Sequence, residues 1–250
     1  MKELLVVDLG LVEYGAAWDL QRRVAAARKA GAVPDVLLLC EHLHVITLGR
    51  NGKRANLLAS DHVLGKMGVS FFETNRGGDI TYHGPGQLVG YPILNLSEIR
   101  RDVGWYVRGL EEAMIRASAE FGVAGRRVAG RTGVWVDGGK EVKEVKEVKD
   151  EEKLAAIGVH LSRWVTSHGF AYNVSTDLRY FDLIVPCGIS GKRATSLEKL
   201  LGRRVEIREA APRIAAHLGE LLGLQLRSTA PDALQAMLRQ FEDQPVGASA

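Results

Sequence analysis

Hydrophobic and polar residues recur along the chain in patterns that predict both strands and helices. Short apolar runs rich in branched side chains predict strands at residues 4–9, 36–42, 45–48, 69–73, 88–96, 133–136, 154–161 and 169–174. Apolar residues at helical spacing predict helices at 13–30, 103–121, 207–222 and 231–242. This order is not a regular strand–helix alternation. It therefore favours an α+β fold, with mixed β-sheets flanked by helices, over a doubly wound parallel sheet.

Four segments interrupt this pattern. Residues 76–87, RGGDITYHGPGQ, hold four glycines and a proline, and predict a loop that folds under itself. Residues 141–149 repeat Glu-Val-Lys three times, a period of three that fits neither strand nor helix, and predict an exposed, mobile tip or loop. Thr195 is expected to cap a short helix with Glu198 completing a capping box, and residues 244–250 are expected to be disordered.

Composition narrows the class of protein. The chain has 250 residues, of which 25% are charged and 46% hydrophobic, with a net charge of +3. Such a mild charge does not imply a nucleic-acid partner. No apolar run approaches the ~18 residues that span a membrane, and no secretory signal is recognisable. Two cysteines are too few for a disulfide scaffold, so we expect reduced thiols in a cytoplasmic protein.

Cys187 is the first candidate for chemistry. It lies in the segment IVPCGISGKRATS, between Pro186 and Gly188, with Lys192 and Arg193 close behind. Nearby cations favour the reactive thiolate, which makes Cys187 a candidate nucleophile. A small buried hydrophobe is the equally open alternative, because free cysteine is often buried.

The glycine-rich loop is the second candidate. Its glycines allow backbone N–H groups to approach a ligand, while Arg76, Tyr82 and His83 offer charge and proton-transfer groups. The alternative is a tight structural turn. Neither the dinucleotide fingerprint nor the phosphate-binding P-loop fits, since the glycine spacing and the Lys-Ser/Thr ending are absent.

A metal site and a catalytic lysine are weaker candidates from local sequence. Strand alternation would place Cys40, His42 and His44 on one face, where a zinc site is conceivable. Such closely spaced ligands on one strand rarely close around an ion, so we expect no metal. Lys153 begins an apolar run that would partly desolvate it, yet nothing local distinguishes it from a lysine facing water.

Four ordered segments together are similar to the octanoyltransferases of lipoate biosynthesis. They are EHLHVITLGR at 41–50, RGGDITYHGPGQLVGYPILNL at 76–96, GVWVDG with KLAAIGVH, and HGFAYNVSTDLRYFDLIVPCGISGKRATSL at 168–197. The chain departs from the family in two places. Leu43 replaces a common proline, and the Glu-Val-Lys repeat separates GVWVDG from the lysine segment. Lys140 could therefore be offered as the family's lysine, but Ala-Ala-Ile-Gly follows Lys153.

The resemblance implies the fold of the biotin and lipoate protein ligases and a set of site residues. Cys187 would be the nucleophile and Lys153 its acid–base partner. The substrate-binding residues would be His42 of the first segment, the acyl-binding loop (Arg76, Gly77, Gly78, Tyr82, His83, Gly84 and Gly86), and the walls of the acyl and pantetheine site (Gly158, His160, Gly169 and Ala171).

The same resemblance implies an acyltransferase with a catalytic domain at 1–225, followed by a C-terminal helix and tail at 226–250. It would transfer an octanoyl group from octanoyl-acyl carrier protein to a lysine of lipoyl domains, in 2-oxoacid dehydrogenase E2 subunits and the glycine cleavage H protein. No cofactor or metal is implied. Three alternatives stay open: an ATP-dependent lipoate or biotin ligase, a non-catalytic binding module, and a metal-dependent hydrolase.

Overall fold

The computed structural model describes residues 2–138, 151–185 and 193–244, and contains strands and helices in mixed order. The strands are β1 (Lys2–Val12), β2 (Asp35–His42), β3 (Val45–Leu48), β4 (Ser70–Glu73), β5 (Ile80–His83), β6 (Gln87–Ile93), β7 (Arg126–Val128), β8 (Arg131–Asp137), β9 (Glu151–Ser162), β10 (Val165–Asn173), β11 (Arg193–Ala194) and β12 (Leu224–Ser228). The helices are α1 (Tyr14–Lys29), α2 (Asp61–Lys66), α3 (Val103–Glu120), α4 (Leu197–Leu201), α5 (Ile207–Leu222) and α6 (Pro231–Glu242).

A large mixed sheet forms the centre of the fold. Its strand order is β12-β1-β2-β6-β10-β9-β8-β7, with β11 added beside β9. The pairs β12–β1, β1–β2 and β11–β9 are parallel, and the other neighbours are antiparallel. All but one residue of β2 are buried, and β6 is buried throughout, because helices cover both faces. This explains why those strands are continuous apolar runs in the sequence.

The helices cover the large sheet in two layers. On one face, α3 and α5 bury residues spaced four apart, including Tyr106 and Leu110, and Ile214 and Leu218. On the other face, α1 and α6 do the same, with Leu234 and Leu238 fully buried in α6. The sheet is therefore sealed on both sides, which confirms the α+β expectation.

A small sheet, of order β4-β3-β5, lies beside the large one with its own core. Strand β5 lies within residues 76–87, where the sequence predicts one continuous loop. The segment is a strand there because Ile80 and Tyr82 alternate into the small core, where both are almost fully buried. The glycine-rich turns thus flank β5, which Ile80 and Tyr82 hold in the small core.

The predicted helix cap, domain boundary and absence of a membrane span can also be compared with the structure. Ser196, not Thr195, caps α4 by accepting a hydrogen bond from the Lys199 amide at 3.3 Å; Thr195 still belongs to the extended chain, where its amide donates to the Lys153 carbonyl. The predicted division at 225/226 falls inside β12, which pairs with β1, and α6 packs on α1. No helix in the described ranges is long and apolar enough to cross a membrane. The Glu-Val-Lys repeat and residues 245–250 lie outside the described residues.

Candidate active site

A cavity of about 500 Å³ lies where the start of the small sheet's glycine-rich loop meets β6, β8, β9 and β10 of the large sheet. This volume is typical of a small-molecule site. Most of its wall is apolar, from Ile80, Val89, Val107, Ile157, Val159, Phe170, Ala171 and Phe181. The cavity therefore suits a ligand with a substantial hydrocarbon part.

The loop at Arg76–Gly78 closes one side of the cavity. The buried Arg76 guanidinium donates to the Thr47 carbonyl at 2.6 Å, to the Thr47 hydroxyl at 2.9 and 3.1 Å, and to the Gly77 carbonyl at 3.1 Å. The Gly77 amide donates to the Val159 carbonyl at 2.9 Å. A Cβ on Gly158 would lie 2.7 Å from the Gly77 carbonyl oxygen, so only glycine lets the loop approach β9 this closely.

A chain of buried hydrogen bonds leads from the small sheet to β11. His83 Nδ1 lies 2.7 Å from Gln87 Oε1, Gln87 Nε2 donates to Asn173 Oδ1 at 2.9 Å, and Asn173 Nδ2 donates to the Thr195 carbonyl at 2.9 Å. An amide oxygen only accepts, so the proton of the neutral imidazole is on His83 Nδ1. The chain thereby fixes the tautomer of His83 and anchors the residue that follows β11.

The histidines in and behind this wall are neutral. Burial, and after it the neighbouring His42 and Arg76, lower the pKa of His83 to about 3. Burial likewise lowers the pKa of His168 to about 3, with Arg76 adding to the effect, and the pKa of His42 to about 4. All three are therefore weak bases that carry no imidazolium proton to donate near neutral pH.

Lys153 lines the cavity beside β11. Its β9 position is paired with Trp135 of β8 and with Ala194 of β11, and Arg193 and Ala194 also line the cavity. The Lys153 ammonium lies 4.7 Å from the centroid of the Trp135 ring, within the range of a cation–π contact. A proton-carrying group is thus held in the wall of a largely apolar cavity.

Comparison with known proteins identifies the family to which this site belongs. The family described as "Lipoyl protein ligase A/B catalytic domain" matches residues 13–219. The chain is 51% identical over 226 residues to an octanoyltransferase of Solibacter usitatus, covering 90% of this chain and 96% of the relative. It is 49% identical to one of Chloroflexus aurantiacus, covering 91% and 97%.

The chain belongs to the octanoyltransferase family. It is accordingly an acyltransferase.

The solved structures that it resembles agree on the fold. One is a chain from an archaeal lipoylation system of Thermoplasma acidophilum, a bi-partite lipoate protein ligase and its E2 lipoyl domain. Its TM-score is 0.71 at 17% identity, covering 98% of this chain and 93% of that one. Another is a lipoate-protein ligase A bound with ATP, with a TM-score of 0.67 at 17% identity, covering 99% and 96%. The biotin and lipoate protein ligase fold expected from the sequence is confirmed.

The structure brings most of the site residues expected for an octanoyltransferase to one cavity. Those in its wall are Arg76, Gly77, Gly78, His83, Lys153, Gly158, Gly169 and Ala171. Cys187 lies outside the described residues.

The other expected residues lie outside the cavity wall. His42 is behind it, 2.7 Å from the Tyr91 hydroxyl, and Tyr82 is buried in the small core. Gly84 packs against the Tyr82 ring, where a Cβ would overlap the hydroxyl. The amide of Gly86 donates to Glu41 at 2.7 Å in a separate cavity. His160 is half-buried near Lys29 and Arg50.

The conceivable zinc ligands do not converge. Cys40 Sγ and His42 Nε2 are 3.6 Å apart in the core, but β2 ends at His42, so the alternation does not continue. His44 instead stacks on Tyr180 with ring centroids 4.2 Å apart. Among the described residues, no group of three or more His, Cys, Asp or Glu is placed to hold a metal.

Several cavity residues of this octanoyltransferase family member were missed from the sequence. Gln87, His168 and Asn173 lie within the segments that carried the family resemblance, and polar residues beside apolar strands were the available signal. Tyr14 and Trp135 belong to apolar patterns that predict ordinary core. Only the three-dimensional register shows that these two rings face the cavity.

Proposed function

We propose that this acyltransferase moves an octanoyl group from octanoyl-acyl carrier protein to a lysine of a lipoyl domain, through a thioester on Cys187. The acceptors would be the lipoyl domains of 2-oxoacid dehydrogenase E2 subunits and the glycine cleavage H protein. The observation that carries the proposal is the apolar-walled cavity with Lys153 in its wall, in a chain of the octanoyltransferase family. The octanoyl group is inferred from the relatives' name, and the apolar wall of the cavity suits such a chain.

The proposed reaction has two steps that exchange one acyl bond each. The Cys187 thiolate attacks the thioester carbonyl of the donor. The bond to the pantetheine sulfur breaks, and Lys153 gives that sulfur its proton. The acceptor lysine then attacks the Cys187 thioester as a neutral amine. The acyl bond to the Cys187 sulfur breaks and regenerates the thiolate, and Lys153 takes up the proton that the amine loses. The donor is already activated, so neither ATP nor a metal is required.

The cavity walls support an acyl chain in a water-poor environment. The apolar side chains bury hydrocarbon, which stabilises binding by roughly 0.8 kcal/mol per methylene. The buried histidines and tyrosines at the wall are uncharged: burial raises the pKa of Tyr14 to about 12, and that of Tyr91 above its usual range. These rings therefore present no charge to a neutral acyl chain.

The donor protein requires a surface that attracts acidic groups. Three arginines that lie close together in the sequence, at 126, 127 and 131, are already paired with carboxylates. Arg126 pairs with Asp137 at 2.8 Å, Arg127 with Glu111 at 3.0 Å, and Arg131 with Glu151 at 2.9 Å. Their charge is already neutralised by carboxylates, so they contribute little to attracting a partner.

A different set of cations is available at the rim. Lys29 at the end of α1, Arg50 after β3 and Arg163 in the β9–β10 turn have no carboxylate partner among the described residues. Burial lowers the pKa of Lys29, and the charge of Arg163 adds to this; burial, Arg50 and Lys29 lower that of His160. The three cations thus share one area. It adjoins the cavity wall, because His160 follows Val159 and the Arg50 amide donates to the Arg76 carbonyl.

Intact mass spectrometry after mixing with octanoyl-acyl carrier protein tests the proposal. We expect the parent protein to gain one octanoyl group, and Cys187→Ala to gain none. Cys40→Ala is the matched control, because Cys40 is buried in the core and burial raises its pKa far above the usual range. It should be acylated like the parent.

Lys153→Arg separates charge from proton transfer. It keeps the cation, but arginine cannot give up its proton. We expect slow acylation and no transfer to a lipoyl domain. Stable acylation of Cys187→Ala would overturn the proposed function. ATP-dependent ligation by Cys187→Ala would overturn it as well.

A further inference from the structure

Trp135 lies against the proposed acid–base residue in a way that ordinary core packing does not require. It is 3% exposed, lines the cavity, and is the cross-strand partner of Lys153 in the β8–β9 pair. The register of this pair shifts between Val134 and Trp135. Such irregularities re-aim side chains and are frequent next to active sites.

We propose that Trp135 is a positioning residue, which holds the Lys153 ammonium over its ring face so that the proton is delivered to the donor's sulfur. The inference rests on the proposed function, because it assumes that Lys153 is the acid–base group. Its physical basis is the 4.7 Å separation between Lys153 Nζ and the ring centroid. Tryptophan is the strongest cation–π partner among the side chains, and the contact gains strength away from water.

The other charged groups around Lys153 define what Trp135 contributes. From β8, Arg131 lies over the same ring at 5.8 Å, and its Nη1 donates to Glu151 at 2.9 Å. From β9, Glu152 accepts a hydrogen bond at 2.8 Å from a lysine of α4. From β11, Arg193 shares the cavity wall. Charges of both signs thus surround Lys153, and the ring face of Trp135 adds an attraction for its cationic side chain.

The indole N–H makes a clean substitution possible. Trp135 Nε1 is buried and has no hydrogen-bond acceptor among the described residues. Trp135→Phe therefore removes no hydrogen bond and keeps an aromatic face under the lysine. Trp135→Leu keeps an apolar side chain and removes the face. The two variants separate the ring's effect on the ammonium from its packing.

The test is the rate of octanoyl-enzyme formation from octanoyl-acyl carrier protein, measured against pH for both variants. Removing the ring favours the neutral amine, so for Trp135→Leu the alkaline limb should move to lower pH by about 0.5 to 1.5 units. Above that limb the rate should fall about 3- to 30-fold. Trp135→Phe should restore most of the rate and of the limb's position.

Trp105→Leu is the matched control, since Trp105 lies under Arg100 at 5.6 Å and does not line the cavity. It should cost stability and leave the limb in place. The inference would be overturned if the alkaline limb of Trp135→Leu lay at the same pH as that of the parent. It would also be overturned if Trp135→Phe formed octanoyl-enzyme as slowly as Trp135→Leu. If Lys153→Ala forms octanoyl-enzyme at the parent rate, the proposed function fails instead.

Discussion

Removing one amide from the buried hydrogen-bond chain should destabilise the protein and slow acylation together. Asn173 is 4% exposed and connects the Gln87 side chain to the Thr195 carbonyl. Asn173→Leu keeps the side chain's approximate shape, but leaves one Gln87 N–H and the Thr195 carbonyl without those partners. A buried polar group without a partner costs about 1–3 kcal/mol, so the two together cost about 2–6 kcal/mol.

The consequence for the site follows from what Thr195 holds. Its amide donates to the Lys153 carbonyl at 3.0 Å, and it directly follows Arg193 and Ala194 in the cavity wall. Loosening its carbonyl therefore lets β11 shift beside Lys153. We expect acylation to slow on the order of tenfold or more, because small misplacements of reacting groups are costly.

Urea denaturation of a double-mutant cycle measures the coupling. Gln87→Met removes the partner that Asn173→Leu leaves unsatisfied, so the double variant should be less destabilised than the sum of the single variants. Single variants within about 0.5 kcal/mol of the parent in unfolding free energy, or strictly additive effects, would refute this reasoning.

Three further outcomes follow from the structure. The double variant Lys29→Glu, Arg163→Glu should raise the KM for octanoyl-acyl carrier protein and leave the KM for a small octanoyl thioester unchanged. Arg227 is already paired with Glu3, so the control variant Arg227→Glu should change neither KM. Gly169→Ala should lower the unfolding free energy by about 1–3 kcal/mol, because its Cβ would overlap the Gly90 carbonyl; an unchanged Tm would contradict this. The three buried histidines have folded pKa values of about 3 to 4 and ordinary values near 6.5 when unfolded, so the unfolded chain binds more protons below pH 6.5. Stability should be complete above pH 6.5 and fall on acidification by up to ~1.4 kcal/mol per unit for each; a flat denaturation profile from pH 7 to 5 would exclude it.

The sequence predicted those parts of the fold that depend on local pattern. Continuous apolar runs predicted β2 and β6, and helical spacing of apolar residues predicted α3, α5 and α6. In each of these segments the buried positions are mainly its own apolar residues, so the local pattern is sufficient. Strand β12 was missed, since four of its five residues are exposed and it is held by parallel pairing to β1. Its alternation, LQLR, covers only four residues, which is too short to distinguish a strand from the end of the preceding helix.

The site was predicted only through family resemblance, because its residues are brought together by tertiary contacts and not by a local pattern. Local sequence could not distinguish Lys153 from the neighbouring lysines. What distinguishes it is a cross-strand register with Trp135, eighteen positions earlier in the sequence, and a shift in that register. The hydrogen-bond chain from His83 to Thr195 likewise joins three separate strands and the residue that follows β11. Neither arrangement has a periodic signature.

The electrostatics of the cavity leave few groups that can carry a proton. Among the described residues in its wall, the histidines are held neutral by burial, and the tyrosines have raised pKa values that keep their hydroxyls protonated. The arginines there are permanently charged and cannot donate. Asp79 accepts a hydrogen bond from Asn56 at 2.7 Å. Lys153 is the remaining group beside β11 that can both give and take a proton. In the proposed mechanism Lys153 is the group that carries the proton, and this is why its position over Trp135 should matter for the rate.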